Sequence, residues 1–215
     1  MTRLAPLLLL LLPVLASANS FETLCRNKLP PATLSIAFEP SKPTYSQKYS
    51  VKELTARSTA NKSIGNTLGQ TETSVGSKIK TSYKYLTNEK TGVSCVSTSL
   101  ALTLSYTPMV VYLAKELVPG TCLYKSVLDH EHRHVAAYEQ RRVWAKPQIE
   151  NFLASVIAPD NLTIGNLEKV QADVDKVLNE QYIPWITKLM DTSEAHAQID
   201  TPAEYARLSR VCLPR

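Results

Sequence analysis

The sequence predicts an α+β fold, with antiparallel strands in the N-terminal half and a helical C-terminal half. Residues 78–112 alternate between apolar and polar side chains and are rich in Val, Thr, Ser, Leu and Tyr, which is typical of paired strands. From Cys122 onwards the apolar residues recur every three or four positions, which is the period of a helix. No repeat or Gly/Ser linker interrupts the chain, so we expect strands and helices to share one domain.

Residues 1–18 have the features of a secretory signal peptide. Arg3 supplies the positive charge, residues 4–16 are mostly apolar, and Ala16-Ser17-Ala18 matches the small-residue cleavage pattern. The apolar run is too short to span a membrane, so no stable membrane insertion is expected after cleavage. We therefore expect a secreted or periplasmic protein whose single domain comprises residues 19–215.

The charge of the chain gives no sign of a nucleic-acid partner. The 24 Lys and Arg residues outnumber the 19 Asp and Glu residues, for a formal net charge of +5. The basic residues are scattered over residues 42–90 and 133–146, and no dense basic run is interleaved with aromatics. The charge is therefore predicted to be ordinary solvated surface.

Four cysteines, Cys25, Cys95, Cys122 and Cys212, remain after the predicted cleavage. An even number in an exported chain predicts two disulfides, for which three pairings are open. No C-x-x-C pair is present, which argues against a cysteine-ligated zinc. The preferred pairing joins Cys122 to Cys212 and Cys25 to Cys95. The first bond would tie the start of the main helix to the C-terminus.

The strand half is predicted to centre on a hairpin. Residues 78–86 and 93–107 flank a turn at residues 88–92, and the even-numbered side chains from Val96 to Tyr106 share one face. The other predictions for this half are an extended lead-in at 19–31, a strand at 34–38, a second strand within 45–54 and a polar loop or weak helix at 55–77.

The helical half is predicted to begin at Cys122 with Thr121 as its N-cap. Pro147 is expected to end or kink this first helix. Further helices are predicted at 148–158, at 167–190 with a kink at Pro184, and in a short last segment where Thr201 is the N-cap, Pro202 the first helical residue and Glu204 the partner in a capping box.

The first helix carries the motif H-E-x-x-H at His130-Glu131-His132-Arg133-His134. Histidines four residues apart project from the same face of a helix and can share a zinc ion, while the glutamate can take a proton from a zinc-bound water. His130 and His134 lie on the apolar stripe of this helix, whereas His132 points away from it and is predicted to face solvent. We therefore expect Zn²⁺ at His130 and His134, with Glu131 as general base.

A catalytic zinc site needs a third protein ligand. Glu139 would lie on the opposite side of a straight helix from His130, and Gln140 stands where the metzincin pattern has its third histidine. His196 is the preferred third ligand, since it is the only other histidine and follows the third helix. Acidic residues remain open as alternatives: Glu168, Glu180 and Glu194.

Several stretches of the chain resemble a bacterial family of secreted proteins of unknown function that are described as zinc-dependent proteases. The matching stretches are Thr121-Cys122-Leu123-Tyr124, His130 to His134, Glu139, and His196 to Tyr205, all within the span from about Cys95 to Cys212. The resemblance implies an α+β, zincin-like domain in the envelope of a Gram-negative bacterium. It also implies a functional role for the segment around His196.

These residues predict a zinc-dependent peptidase that acts on a peptide or protein substrate. Tyr205 is the preferred donor to the developing oxyanion, with Tyr138 and Arg141 as alternatives. Asp129 or Asp200 could orient a ligating imidazole. Two other functions remain open: a zinc-binding or structural envelope protein without turnover, and an amidase that acts on cell-wall peptides by the same chemistry.

Overall fold

The computed structural model describes residues 14–58 and 65–213, and in them the chain forms a five-stranded sheet with helices. The elements in chain order are α1 (Val14–Lys28), β1 (Thr33–Phe38), β2 (Thr44–Ser46), α2 (Val51–Arg57), β3 (Gly69–Asn88), β4 (Val93–Leu113), α3 (Cys122–Ile157), β5 (Thr163–Gly165), α4 (Leu167–Val177), α5 (Ile183–Leu189), α6 (Ser193–Ile199) and α7 (Pro202–Leu208).

The central strand of the sheet is β4. It pairs with β3 in antiparallel register from Val93 to Leu113, which confirms the predicted hairpin and its turn. The other edge of β4 pairs with three short strands, of which β5 is antiparallel but β1 and β2 are parallel. The prediction of antiparallel strands in the N-terminal half therefore holds for β3 and β4 but was wrong for β1 and β2. A tight turn forces β3 and β4 to be antiparallel, whereas β1 and β2 reach β4 through intervening elements that leave their direction free.

The core lies between one face of this sheet and α3. The even-numbered side chains of β4 from Val96 to Tyr106 are buried, as the alternation predicted. Those from Leu100 to Tyr106 pack against Ala145, Ile149 and Leu153 of α3, which are also buried. The α3 helix passes through Pro147 without ending, contrary to the prediction of two helices. A proline costs one backbone hydrogen bond, and apolar packing on both sides of Pro147 offsets that cost.

The segment predicted as one long helix at 167–190 is helical throughout but changes its winding. Between α4 and α5, residues Leu178–Tyr182 form a π-helical turn, which ends two residues before Pro184. Pro184 has no backbone N–H and its ring crowds the preceding turn, and wider winding relieves both problems. Residues 191–213, which we call the C-terminal arm, follow α5 and contain α6 and α7.

The N-terminal elements differ most from the prediction. The expected extended lead-in is helical up to Lys28, within α1. The segment predicted as a second strand contains only β2, and then Ser50 caps α2 through a complete capping box with Glu53. The segment expected to be a loop or weak helix up to residue 77 already forms β3 from Gly69. Most of the predicted signal peptide, residues 1–13, lies outside the described residues.

Two disulfides link the elements, and their pairing confirms the prediction. Cys25 of α1 bonds to Cys95 of β4, and both residues are completely buried. Cys122 at the start of α3 bonds to Cys212 at the end of the C-terminal arm. Among the described residues, no helix combines the length and the apolar character needed to cross a membrane.

Candidate metal centre

The side chains of the three motif residues on α3 are buried. His130, Glu131 and His134 are only 5%, 2% and 7% exposed. His132 is exposed, as predicted, and its Nε2 lies 3.1 Å from the hydroxyl of Tyr45 on β2. The helical pattern therefore correctly predicted that His130 and His134 are buried and that His132 is exposed.

His130, His134 and Asp200 form a group that could hold a metal ion. Nε2 of His130 lies 3.0 Å from Oδ1 of Asp200 and 3.2 Å from Nε2 of His134. Nε2 of His134 lies 3.3 Å from the same Asp200 oxygen. Ligand atoms placed tetrahedrally around zinc at about 2.0–2.1 Å are about 3.3 Å apart. The triangle of one oxygen and two nitrogens therefore matches the spacing that such an ion requires.

Asp200 comes from the C-terminal arm, directly after α6. Burial alone would raise the pKa of its carboxyl group, but hydrogen bonds from both motif histidines hold the pKa well below its usual range. Burial opposes the charged form of His130, but the hydrogen bond with Asp200 raises its pKa. The sequence had suggested Asp200 only as an orienting carboxylate, because nothing in its spacing showed that α6 would end beside α3.

His196, the preferred third ligand, lies beside the group but on the other side of His134. Its Nδ1 is 2.8 Å from Nδ1 of His134, which is the ring nitrogen that faces away from Asp200. Its Nε2 is 2.9 Å from the hydroxyl of Thr192, and the ring of Tyr138 packs against it at 4.6 Å. Burial, together with the neighbouring His134, lowers the pKa of His196 to about 4. The segment predicted to return to the site does so, but Asp200 completes the triangle.

The alternative acidic ligands lie elsewhere. The ligand group found among the described residues does not include Glu168, Glu180 or Glu194, and all three are exposed. Glu139 was excluded by its angle on the helix, and it accepts hydrogen bonds from the backbone of Ser41 and from Arg142 instead.

Glu131 is fixed by the first residues of β3. The hydroxyl of Thr71 donates a hydrogen bond of 2.8 Å to its Oε2. Gly69 lies against its other oxygen so closely that a Cβ atom at position 69 would be 2.5 Å from Oε1. Burial raises the pKa of Glu131, although His134 and Thr71 oppose the shift. No local pattern indicates these two contacts, because the polar residues 55–77 predict a loop or weak helix.

Glu204 lies on the opposite side of His130. Its Oε1 is 3.3 Å from Nδ1 of His130, and it pairs with Arg133 and Arg207. Hydrogen bonding from Arg207 is the main cause of its low pKa, about 2. Thr201 caps α7 as predicted, by accepting from the backbone N–H of Glu204. The carboxylate that would have completed a capping box binds the motif helix instead.

Of the three residues predicted as oxyanion donors, two line the cavity over the motif and one lies elsewhere. The hydroxyl of Tyr205 lies 3.4 Å from Oδ1 of Asp200, and burial raises its pKa to about 12. Tyr205 and Tyr138 both line the cavity over the motif. Arg141 instead lies over the ring of Trp144, at 4.7 Å from its centroid.

An open cavity of about 470 Å³ exposes the motif to solvent. One wall is the start of β3 with Gly69, Gln70 and Thr71, and the opposite wall is the C-terminal arm with Asp200 and Tyr205. A substrate in this cavity would meet the possible ligands and the buried glutamate together.

No protein-family model, no curated protein and no solved structure matches this chain. The resemblance drawn from the motifs therefore rests on the motifs themselves, and the geometry of the cavity carries the functional argument.

Proposed function

We propose that this protein is an exported, zinc-dependent peptidase of zincin-like organisation. The observation that carries the proposal is the triangle of His130, His134 and Asp200, which lies beside a buried Glu131 at the base of an open cavity. A structural metal site would need no buried carboxylate next to its ligands, and burying one without a role costs stability.

The donor set suits zinc. Two imidazole nitrogens and one carboxylate oxygen are ligands that catalytic zinc sites use, and three protein ligands leave a position for water. Calcium and magnesium prefer sites made of oxygen alone, and softer metals prefer thiolates. No described cysteine is free to supply a thiolate.

Zinc bound here would lower the pKa of a coordinated water and polarise the scissile carbonyl. Glu131 then takes a proton from the attacking water, whose oxygen bonds to the carbonyl carbon. As the C–N bond breaks, Glu131 returns this proton to the leaving amine. Burial raises the pKa of Glu131, which suits both steps. A carboxyl group with a raised pKa accepts a proton from water more readily and can still pass it to the leaving amine.

Tyr205 is the donor that we assign to the oxyanion. Its hydroxyl lies at the edge of the ligand triangle, and a pKa of about 12 keeps it protonated. A neutral hydroxyl in a partly buried site can donate to negative charge as that charge develops.

The edge of β3 that lines the cavity suits an extended peptide. Within the described chain β3 pairs only with β4, so the opposite edge of Gly69 to Thr71 is open beside Glu131. An extended segment can add to such an edge through main-chain hydrogen bonds. This supports a peptide or protein substrate in the envelope, and the two disulfides support an exported location.

The decisive experiment compares wild type with Glu131→Gln on a panel of peptides and cell-wall peptides, with zinc content measured in parallel. Wild type should bind one zinc per chain and hydrolyse peptide bonds in a chelator-sensitive reaction. Glu131→Gln should keep the zinc and lose hydrolysis, while Glu194→Gln, an exposed change on α6, should resemble wild type. Bound zinc without hydrolysis of any substrate would instead identify a zinc-binding envelope protein, and hydrolysis of cell-wall peptides alone would identify an amidase.

A further inference from the structure

Each histidine of the ligand triangle has its second ring nitrogen occupied by a residue of the C-terminal arm. Nδ1 of His130 faces Oε1 of Glu204 at 3.3 Å. Nδ1 of His134 faces Nδ1 of His196 at 2.8 Å. Asp200 lies between these two arm residues in sequence and faces both Nε2 atoms. One short segment therefore contacts both nitrogens of both rings.

The chemistry of imidazole restricts what these contacts can be. A neutral ring carries one proton, and a nitrogen that binds a metal through its lone pair cannot carry it. When Nε2 is the ligand atom, the proton must be on Nδ1, and Nδ1 then needs a hydrogen-bond acceptor. Glu204 is such an acceptor for His130. His196 becomes one for His134 when its own proton is on Nε2, from which Thr192 can accept it.

The same contacts are also compatible with the other tautomer of each ring, in which His130 and His134 carry the proton on Nε2. Nε2 of both motif histidines can donate to Asp200, and Nδ1 of His130 can accept from Arg133 at 2.8 Å. Nδ1 of His134 can then accept from His196, while the hydroxyl of Thr192 donates to Nε2 of His196. When Nδ1 of His130 carries the proton, Arg133 donates to Glu204 instead. When both Nε2 atoms carry protons, they lie 3.2 Å apart and both donate to Asp200.

We propose that Glu204 and His196 are positioning residues for His130 and His134, and that zinc loading shifts the proton of each ligand ring from Nε2 to Nδ1. This inference rests on the proposed zinc site but concerns the residues around it. The arm thus supplies one ligand, Asp200, and the two residues that orient the other ligands.

The two positioning residues are themselves held in place. The Glu204 side chain is only 11% exposed, and Arg207 on the next turn donates to both of its oxygens at 2.8 and 2.9 Å. His196 is held between Thr192 and the ring of Tyr138. Held partners of this kind fix the orientation of a ligating ring before the metal arrives, which raises metal affinity.

The first test measures zinc affinity by competition with a chelator, using the full mature chain and zinc alone as the probe. Glu204→Ala and His196→Ala should each weaken zinc binding by about 10–100-fold, the usual effect of losing such a partner. Glu204→Gln, which keeps an oxygen acceptor, should lose less than Glu204→Ala. The controls are Glu194→Gln on α6 and His132→Asn on α3, two exposed changes, which should bind zinc within about twofold of wild type.

Two spectroscopic readouts separate positioning from ligation. X-ray absorption of the zinc-loaded wild type should show two imidazoles per zinc. Nitrogen-15 NMR of the histidine rings should show the proton of His130 on Nε2 without zinc and on Nδ1 with zinc. If an alanine variant does not fold, Glu204→Gln and the NMR measurement on wild type still test the proposal.

Unchanged zinc affinity in both alanine variants, or an unchanged His130 tautomer, would overturn the inference and leave the zinc site intact. Three imidazoles per zinc, with complete loss in His196→Ala, would make His196 a ligand and also overturn it. A wild-type protein that takes up no zinc would refute the proposed function itself. The failure of the inference and the failure of the proposed function are therefore distinguishable.

Discussion

The helix α3 has buried side chains along most of its length, from Val127 to Ile157, whereas in the C-terminal arm α6 has none and α7 has only Leu208. Both regions supply residues to the same site. The first is held by apolar packing against the sheet, which is strong and non-directional. The second is held by polar contacts with the motif and by attachments at its two ends.

The attachments of the arm are few but well placed. At its start, the hydroxyl of Tyr106 on β4 donates 2.8 Å to the carbonyl oxygen of Met190, and Thr192 is buried. At its end, Cys212 is bonded to Cys122. Between these points Asp200, Glu204 and His196 contact the motif histidines of α3. Half of the candidate site is therefore anchored in the core, while the position of the other half depends on the same polar groups that face the motif histidines.

The largest effect is expected when the packing under α3 is broken. Ile149→Ala removes a completely buried side chain from the contact between α3 and β4. The expected loss is about 2–5 kcal/mol of unfolding free energy, measured by denaturant titration. Zinc affinity of the molecules that remain folded should be unchanged, since Ile149 lies far along the helix from the motif. The matched change Leu208→Ala in the arm should cost less stability and weaken zinc binding more.

Removal of a disulfide should affect the two regions differently. Replacing both Cys122 and Cys212 by Ser frees the end of the arm, with an expected loss of about 2–4 kcal/mol and at least tenfold weaker zinc binding. Replacing Cys25 and Cys95 by Ser should cost a similar amount of stability but leave zinc affinity unchanged. Equal zinc affinities in the two double variants would show that the arm needs no covalent attachment.

Gly69→Ala tests the contact between the start of β3 and Glu131 of α3. The new Cβ would lie 2.5 Å from Oε1 of Glu131 and 2.8 Å from Cγ1 of Val127, so Glu131 must move. We expect about 1–3 kcal/mol of destabilisation and about 100-fold slower hydrolysis, with zinc retained. Gly165→Ala is the control, because its Cβ would meet Val170 at an ordinary 3.7 Å. Activity equal to wild type in Gly69→Ala would mean that Glu131 does not need its present position.

The smallest effect is expected at Thr71. Thr71→Val keeps the shape of the side chain but removes the hydrogen bond to Glu131, which is worth about 1 kcal/mol or somewhat more for a charged acceptor. The expected result is a kcat about tenfold lower with KM little changed. Thr71→Ser keeps the hydroxyl and should restore most of the rate. A loss confined to KM would assign Thr71 to substrate binding instead of to the base.

Elements with a strong local signal were predictable. The hairpin of β3 and β4 has a clear alternation and a turn, and α3 has a helical stripe that separates His130 and His134 from His132. Elements whose signal depends on distant partners were not predictable. Residues 19–28 lack a strong pattern, yet they are helical where Cys25 joins Cys95. The polar start of β3 forms a strand because β4 offers it an edge to pair with.

The sequence by itself determined the motif, the face of the helix that carries it and the hairpin, because these follow from spacing within one element or between two neighbouring strands. It indicated two disulfides but left three pairings open, and the structure selected Cys25–Cys95 and Cys122–Cys212. Only the tertiary structure decided that Asp200 faces both motif histidines, that His196 and Glu204 face their other nitrogens, and that Gly69 and Thr71 enclose Glu131. Those contacts join residues about 60 to 75 positions apart, and no local pattern records them. They depend on where the arm and the edge strand come to lie, which the packing of the whole chain sets.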